Sequence, residues 1–455
     1  MKFGRALIIL LVFDLAPCSS TAKAVPPNTP LSIDQCVEIA LGSNPLIEEA
    51  EAKVEEYRAR LAEVEAIFYP KLTGMAYVAP MFTVRGSAFD REVEYKWKDI
   101  GNWRPYTHFE AVLAQPLYTF GRVAAGELAA SERVEVERAR LREARNVVAL
   151  EVRKLYYNRL FALSMLPSLD NAAEIVAGAR KEARELYDSA SGKVTQTDLM
   201  KLRYAAIEVD RYRILAREGA QLALSALKHT MGISEKEEIR LVDERLPRLP
   251  PQEVADLYSL LKEASINRPE WIQIKHGIGA AEAWADAERK ALWPVVFLGG
   301  MLRVEWAPTR DDASNPYHYD PYNEIVGGVA LGLIFDLDPA RTIAKTHQAE
   351  ATRDQIEALR KFASTGIPLQ VLKARTEVQR YRCLSGLSTD SVKSTRKWMT
   401  FAATAYATGT GETSDLVEGM VAYLQSKRAY YEDLLGFHIA CAELDYAVGK
   451  ENVSK

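Results

Sequence analysis

Two short stretches hold the residues best placed to do chemistry. Gly192-Lys193-Val194-Thr195-Gln196-Thr197-Asp198-Leu199 is answered by Gly409-Thr410-Gly411-Glu412-Thr413-Ser414-Asp415-Leu416, with the glycines, aspartates and leucines each 217 positions apart. In each stretch a glycine suited to ending one helix precedes a carboxylate suited to starting the next. Glycine takes the left-handed conformation that closes a helix, and aspartate accepts from the free N–H groups of a new first turn, where the dipole favours negative charge. N-capping is thus the chemistry these spacings offer by themselves. The other polar residues do not converge. His108, His229, His276, His318, His347 and His438 are scattered along the chain and predict no metal site. Gly409-Thr410-Gly411 lacks the lysine of a phosphate loop, and neither His-Glu-x-x-His nor Gly-x-Ser-x-Gly occurs. The sequence is read as that of a non-enzyme without a cofactor or a metal.

A chain of 455 residues implies more than one domain, and 48% hydrophobic residues allow a large core. A net charge of −4 gives no footprint for nucleic acid. Lys2 and Arg5, the apolar run Leu7 to Phe13, and Ala22-Lys23-Ala24 predict an export signal over residues 1–24. Cys18 raises lipidation as an alternative, and Pro17 argues against it. The mature chain keeps Cys36, Cys383 and Cys441, an odd set read as buried or partly buried thiols. After the signal no run of 18 or more apolar residues appears, so entry into a bilayer would require a closed β-barrel.

The chain is written twice. Asn44-Pro45-Leu46-Ile47 opens a helix that ends at Phe68-Tyr69-Pro70, and Asn267-Arg268-Pro269-Glu270-Trp271 opens one that ends at Leu292-Trp293-Pro294. Pro45 and Pro269 are 224 apart, and so are Pro70 and Pro294. Gly232 and Gly449 keep the 217 offset of the glycine–aspartate stretches. Ordered anchors of this kind mean duplication. The predicted organisation is repeat 1 over 25–245, a proline-rich linker over 246–252 centred on Leu246-Pro247-Arg248-Leu249-Pro250-Pro251, and repeat 2 over 253–449.

Each repeat reads as helix, two strands, long helix, turn, long helix. Strands are predicted at about 71–84, 106–119, 294–307 and 322–336. Leu72, Gly74, Ala76, Val78, Pro80 and Phe82 alternate with Lys71, Thr73 and Tyr77; Phe109, Ala111, Leu113 and Leu117 lie opposite His108 and Glu110. Leu302, Val304 and Trp306 alternate with Arg303 and Glu305, and Ile325, Val329, Leu331 and Leu333 with Gly328, Ala330 and Gly332. This is the period of a barrel strand. Trp97, Trp103, Tyr106, Trp306, Tyr317, Tyr319 and Tyr322 cluster around the long connections, as an interfacial girdle would. Long helices are predicted at about 122–190, 198–231, 340–407 and 414–447. Val134, Leu141, Val148 and Leu155 recur every seven residues as a coiled-coil seam, and Pro368 predicts an irregularity.

Four strands cannot enclose a lumen. An open sheet edge in lipid leaves unpaired backbone groups costing several kcal/mol each. The chain must then assemble with itself. Two chains would give eight strands, filled by side chains; three would give twelve and leave a passage.

At this point the residues resemble those of the TolC-like outer membrane efflux proteins. The resemblance rests on Asn44-Pro45-Leu46, Tyr69-Pro70-Lys71-Leu72, Gln115-Pro116-Leu117-Tyr118-Thr119-Phe120-Gly121-Arg122 and the two glycine–aspartate turns, and it covers roughly 31–449. It implies a mixed fold, a membrane β-barrel above an α-helical barrel, in which a homotrimer closes twelve strands and a tunnel of twelve helices. It implies the outer membrane of a Gram-negative bacterium, with a large periplasmic portion. The implied role is a passive exit channel of a tripartite efflux or type I secretion system, working with a periplasmic adaptor and an inner-membrane pump. The turns then become periplasmic tips, formed by Gly192, Thr195, Thr197, Asp198, Gly409, Thr413 and Asp415. By the same resemblance Asp198 and Asp415 face the pore constriction, Tyr406 helps hold a closed gate, and Glu418 adds an acid. One departure stands out. The arginine that partners the gate tyrosine falls at Gly411, which cannot make that bond; Lys193 is the candidate substitute. The alternative function is a structural coiled-coil protein of the periplasm whose hairpins are soluble.

Overall fold

A computed structural model describes residues 30–83, 103–189, 194–250, 254–308 and 322–450. The proposed signal, Cys18, Gly192, Lys193, Trp97, Tyr317 and Tyr319 lie outside the described residues.

Helix α1 (Ile33–Ser43) starts at Ser32, whose hydroxyl accepts from the Gln35 N–H while the Gln35 side chain accepts from the Ser32 N–H, a capping box. Asn44 ends α1 and caps α2 (Pro45–Glu65), with proline at the first helical position, where its missing N–H costs nothing. A single 3₁₀ turn at 66–68 leads into β1 (Lys71–Phe82), followed by β2 (Trp103–Tyr118), α3 (Arg122–Asp188) and α4 (Gln196–Thr230). The order then recurs: α5 (Leu257–Asn267), α6 (Pro269–Arg289), a 3₁₀ turn at 290–292, β3 (Val295–Trp306), β4 (Ile325–Ile334), α7 (Pro339–Ala407) and α8 (Thr413–Ala447). The four strands form one antiparallel sheet in chain order, with the β2–β3 pairing joining the halves.

The sheet register separates two chemistries. One face carries Leu72, Val78, Phe82, Phe109, Leu113, Leu302, Val304, Ile325, Val329, Leu331 and Leu333; Val329 is 82% exposed and Leu331 71%. The other face carries Lys71, Thr73, Tyr77, His108, Glu110, Arg303 and Glu305. Small residues on this second face are partly filled in: the Phe297 ring lies over Gly332 and beside Gly299. Of the expected girdle, Trp103 and Trp306 are exposed at the ends of β2 and β3 on the apolar face. Tyr106 does not join them. It is buried on the charged face, in edge contact with Tyr77 and Tyr322.

The long helices, α3 of 67 and α7 of 69 residues, each span about 100 Å at 1.5 Å per residue. Both run unbroken through their internal prolines, Pro167 and Pro368, so Pro368 causes no interruption of the helix. One stretch of α3 is long and apolar enough, by length and composition, to cross a membrane, which the sequence reading had excluded. The same helix buries Tyr156, Leu160 and Leu169 inside the helical assembly, as a core helix does. The seam is present there: Val134 and Val148 are buried, and Leu141 and Leu155 pack against the core. Helix α4 packs along one part of α3 and α2 along another; α8 and α6 do the same for α7, while α3 also contacts α6 and α8.

Where two short helices meet along a long one, their ends are joined. The Asn44 amide donates to the Thr230 carbonyl at 2.7 Å while its Oδ1 accepts from the Leu46 N–H at 2.9 Å, and the Ser43 hydroxyl donates to the Met231 carbonyl at 2.8 Å. One side chain thus serves the carbonyl end of α4 and the N–H end of α2. In the second repeat the residue before the proline is Arg268, only 3% exposed. Its guanidinium donates to the Ala447 carbonyl at 3.2 Å, to Glu270 at 2.6 Å and to Gln370 at 2.8 Å. A buried cation at the carbonyl end of α8 is favoured by the helix dipole.

Candidate gate at the helix-turn tips

The second turn is closed by backbone geometry. Gly409 has φ of 75°, its N–H bonds the Tyr406 carbonyl at 3.0 Å, and the Thr410 N–H reaches back to the Ala405 carbonyl at 3.0 Å. This pair of bonds is a Schellman closure, for which the left-handed residue is most easily glycine. The chain then turns so tightly that a Cβ on Gly411 would lie 2.8 Å from the Ala405 Cβ and 2.9 Å from the Tyr406 nitrogen. Position 411 therefore has no space for an arginine in this conformation. The departure noted in the sequence is imposed by the turn itself.

The first turn rises into α4 through a reciprocal cap. The Asp198 N–H donates to the Thr195 hydroxyl at 3.2 Å, and the Asp198 carboxylate accepts from the Thr195 N–H at 3.0 Å and the Thr195 hydroxyl at 2.6 Å. Asp198 thus stands at the third helical position and Thr195 is the N-cap. Asp415 does not copy this arrangement. Glu412 occupies the N-cap of α8 without a side-chain cap bond, and Asp415 and Glu418 are both exposed. Thr197 is exposed as well.

Three contacts cross between the tips. The Thr413 side chain, buried at 6% exposure, lies beside both Asp198 and Tyr406 and favours the charged form of each. The Tyr406 hydroxyl donates to the Ala179 carbonyl of α3 at 3.4 Å. The Lys201 ammonium donates to the Ser414 hydroxyl at 2.7 Å. Beneath them Ala179, Ala183, Leu202 and Leu416 are buried together, with Leu199, Ala403 and Val417 around them. Partial burial raises the Asp198 pKa. The Thr195 side-chain and backbone bonds, the Lys201 charge and the Thr413 side chain outweigh it, so the carboxyl sits below its ordinary range. Burial, with the charges of Glu182 and Asp198, pushes the Tyr406 hydroxyl up, and the Thr413 side chain opposes this.

The structure thus brings Thr195, Asp198, Tyr406 and Thr413 into one cluster and leaves Asp415, Glu418 and Thr197 on the surface. Lys201, Ser414 and the Ala179 carbonyl were missed from sequence. Lys201 follows Asp198 by three residues, a spacing that places both on one helix face, and that signal was available. The Ala179 carbonyl left none.

A sheet with one apolar and one charged face, open at both edges, above two long helical hairpins tied at their tips, defines a class: one segment of a β-barrel continued by a helical tunnel. The family model for outer membrane efflux proteins matches residues 36–232. Three solved structures share the fold: the Campylobacter jejuni CmeC outer membrane channel at 15% identity and TM-score 0.74, covering 92% of this chain and 85% of that one; the outer-membrane channel OprN at 16% and 0.73, covering 92% and 90%; and a membrane protein from Pseudomonas aeruginosa at 18% and 0.73, covering 92% and 93%. No curated protein matches the sequence. Residues 36–232 are thus similar to the outer membrane efflux protein family, and the chain as a whole has the TolC-like fold of these channels.

Proposed function

We propose that the protein is a passive exit channel in the outer membrane of a Gram-negative bacterium. Three copies close a twelve-strand barrel and a twelve-helix periplasmic tunnel, gated at the tips. The observation that carries this reading is the sheet. One face is mostly apolar, with Leu72, Val78, Phe109, Leu302, Val329 and Leu331 exposed, the other holds the charges, and β1 and β4 each have one unpaired edge. Lipid on the first face, water on the second and sister chains on the edges would satisfy every group at once. Two chains would make an eight-strand barrel plugged by its own side chains; three leave a lumen.

The tip contacts support a gate that closes without an arginine at 411. Tyr406 bonds the Ala179 carbonyl, Lys201 holds Ser414, and Thr413 sits beside Asp198, so the two hairpins of one chain are latched. Opening would be driven by partners: a periplasmic adaptor docking on the helical hairpins and an inner-membrane pump beneath. The test is fractionation and electrophysiology. The expected result is a detergent-extractable outer-membrane protein that migrates as a heat-sensitive oligomer and conducts ions in a planar bilayer. A water-soluble monomer without conductance would overturn the proposal.

A further inference from the structure

Across β1, β2 and β3 the charged face holds a ladder that tip gating does not use. Tyr77, His108 and Glu305 stand opposite one another in the register, and Glu110 opposite Arg303 in the adjacent row. The Glu305 N–H donates to the Glu324 carbonyl at 2.8 Å, which brings a third carboxylate to the end of the row. His108 is 8% exposed and its ring stacks on Tyr77 at 4.6 Å. Its Nδ1 lies 3.0 Å from Glu305 Oε1, so that nitrogen carries the hydrogen and donates. The other nitrogen, Nε2, is buried, has no hydrogen-bond partner, and lies 4.0 Å from Glu110 Oε2. In neutral histidine this leaves a lone pair aimed at a carboxylate. A second proton turns the same atom into a donor facing an acceptor.

We propose that this belt sets the ion preference of the barrel lumen, and that proton uptake at His108 Nε2 tunes it. The inference rests on the exit-channel reading, which makes this face the lumen. With histidine neutral, Glu110, Glu305 and Glu324 against Arg303 leave two net negative charges per chain; with histidine protonated, one remains. Among the described residues the other strand cations of this face are distant. Lys71 is four positions from the Met75–Glu110–Arg303 row, and Arg104 four positions from His108, roughly 13 Å at 3.3 Å per residue. That exceeds the Debye length of about 10 Å at 0.1 M salt, so the belt acts locally. The groups facing His108 are Tyr77 from β1, Tyr106 and Glu110 from β2, Arg303 and Glu305 from β3, and Glu324 with Tyr322 before β4. Among the described residues no group of three His, Cys, Asp or Glu side chains is set to hold a metal ion, so the belt acts through its field rather than by coordination.

The experiment is the reversal potential of the full-length protein in a planar bilayer under a potassium chloride gradient, at about pH 8 and about pH 5.5. Because the belt charge halves, the logarithm of the cation-to-anion permeability ratio falls to about half of its alkaline value on acidification. His108→Gln, which stacks and donates but takes up no proton, loses this response. Glu324→Gln shows at pH 8 the reduced ratio that the natural protein shows at pH 5.5. Assembly of each variant is checked first by its detergent-stable oligomer. A natural protein that conducts without a pH-dependent ratio, or a His108→Gln variant that keeps the full response, overturns the belt. Absence of any conductance overturns the channel reading itself, and the belt with it.

Discussion

Replacing Asp198 with alanine separates a cap from a latch. The bonds from Thr195 to Asp198 lie within one hairpin, so they are present whether the tips are together or apart. Of the groups around Asp198, only its Thr413 neighbour is lost when the tips part. A bond to a charged group is worth about 1.5–3 kcal/mol when buried, and this carboxylate is only partly so; about 1 kcal/mol per chain is the fitting figure. That is about fivefold in the closed-to-open ratio of one chain. If three chains open together, it becomes about 3 kcal/mol and more than a hundredfold. The assay is single-channel recording in a planar bilayer: Asp198→Ala raises open probability steeply, and Thr413→Val, which leaves the α4 cap untouched, raises it by a similar factor. Unchanged open probability in both variants would refute the latch. A rise in Asp198→Ala alone would assign the effect to fraying of α4. The pH dependence has a definite sign. A carboxyl held below its ordinary value of 3.8 contributes stability present above that value and lost as pH falls through the lowered one. The latch therefore holds throughout pH 8 to 5 and fails only in stronger acid, so a selectivity change near neutrality belongs to the barrel and not to the tip.

Other outcomes follow from the same geometry. Gly411→Ala forces a Cβ to within 3 Å of the Tyr406 backbone nitrogen; the turn shifts at a cost of about 1–3 kcal/mol, read as faster hydrogen exchange over 405–415 and a more conductive channel. Arg268→Ala strands Glu270 and two carbonyls at the α8–α6 junction and destabilises the chain by about 3 kcal/mol, measured by thermal melting of the oligomer. Val329→Arg puts a charge on the exposed apolar face at a cost of about 2–4 kcal/mol and prevents outer-membrane assembly, whereas Met75→Arg on the charged face assembles; equal behaviour of the two would invert the assignment of lumen and lipid. Cys36 is fully buried and its thiol is pushed up to about 12, so a thiol reagent at pH 8 leaves it unmodified until the protein is denatured, as mass spectrometry of the labelled chain would show.

The elements were legible because each carries a period that physics enforces. Alternation marked the strands, and the observed register places Leu72, Phe109 and Leu302 on one face and Tyr77, His108 and Glu305 on the other, as alternation demands. Heptad spacing marked the long helices, whose seam residues pack as expected. The tips were half legible. Glycine before aspartate announced two helix closures, but the symmetry of the motif suggested two equivalent aspartates. The structure distinguishes them: Thr195 stands where Glu412 stands in the other repeat, and only the threonine makes the reciprocal cap. Pro368 misled for a related reason. A long helix fixed along its length by α8 and α6 tolerates one missing backbone bond that an isolated helix would not.

The two repeats also show how duplication frees a chain to solve one problem twice. Where α4 meets α2, a neutral amide serves both helix ends, and Ser43 seals the remaining carbonyl. Where α8 meets α6, the matching position is arginine, which donates to the carbonyls and supplies no cap to the following helix. A donor suffices there because Glu270, in the first turn, both favours the dipole and neutralises the buried guanidinium. Exchanging the two residues would fail in each direction. Asparagine at 268 leaves the half-buried Glu270 and the Ala447 carbonyl without their donor, while arginine at 44 brings a cation to a helix start and removes the oxygen that accepts from the Leu46 N–H. The junctions are therefore matched to their own surroundings, and Asn44→Arg is expected to lower the melting temperature even though its counterpart in the other repeat is arginine.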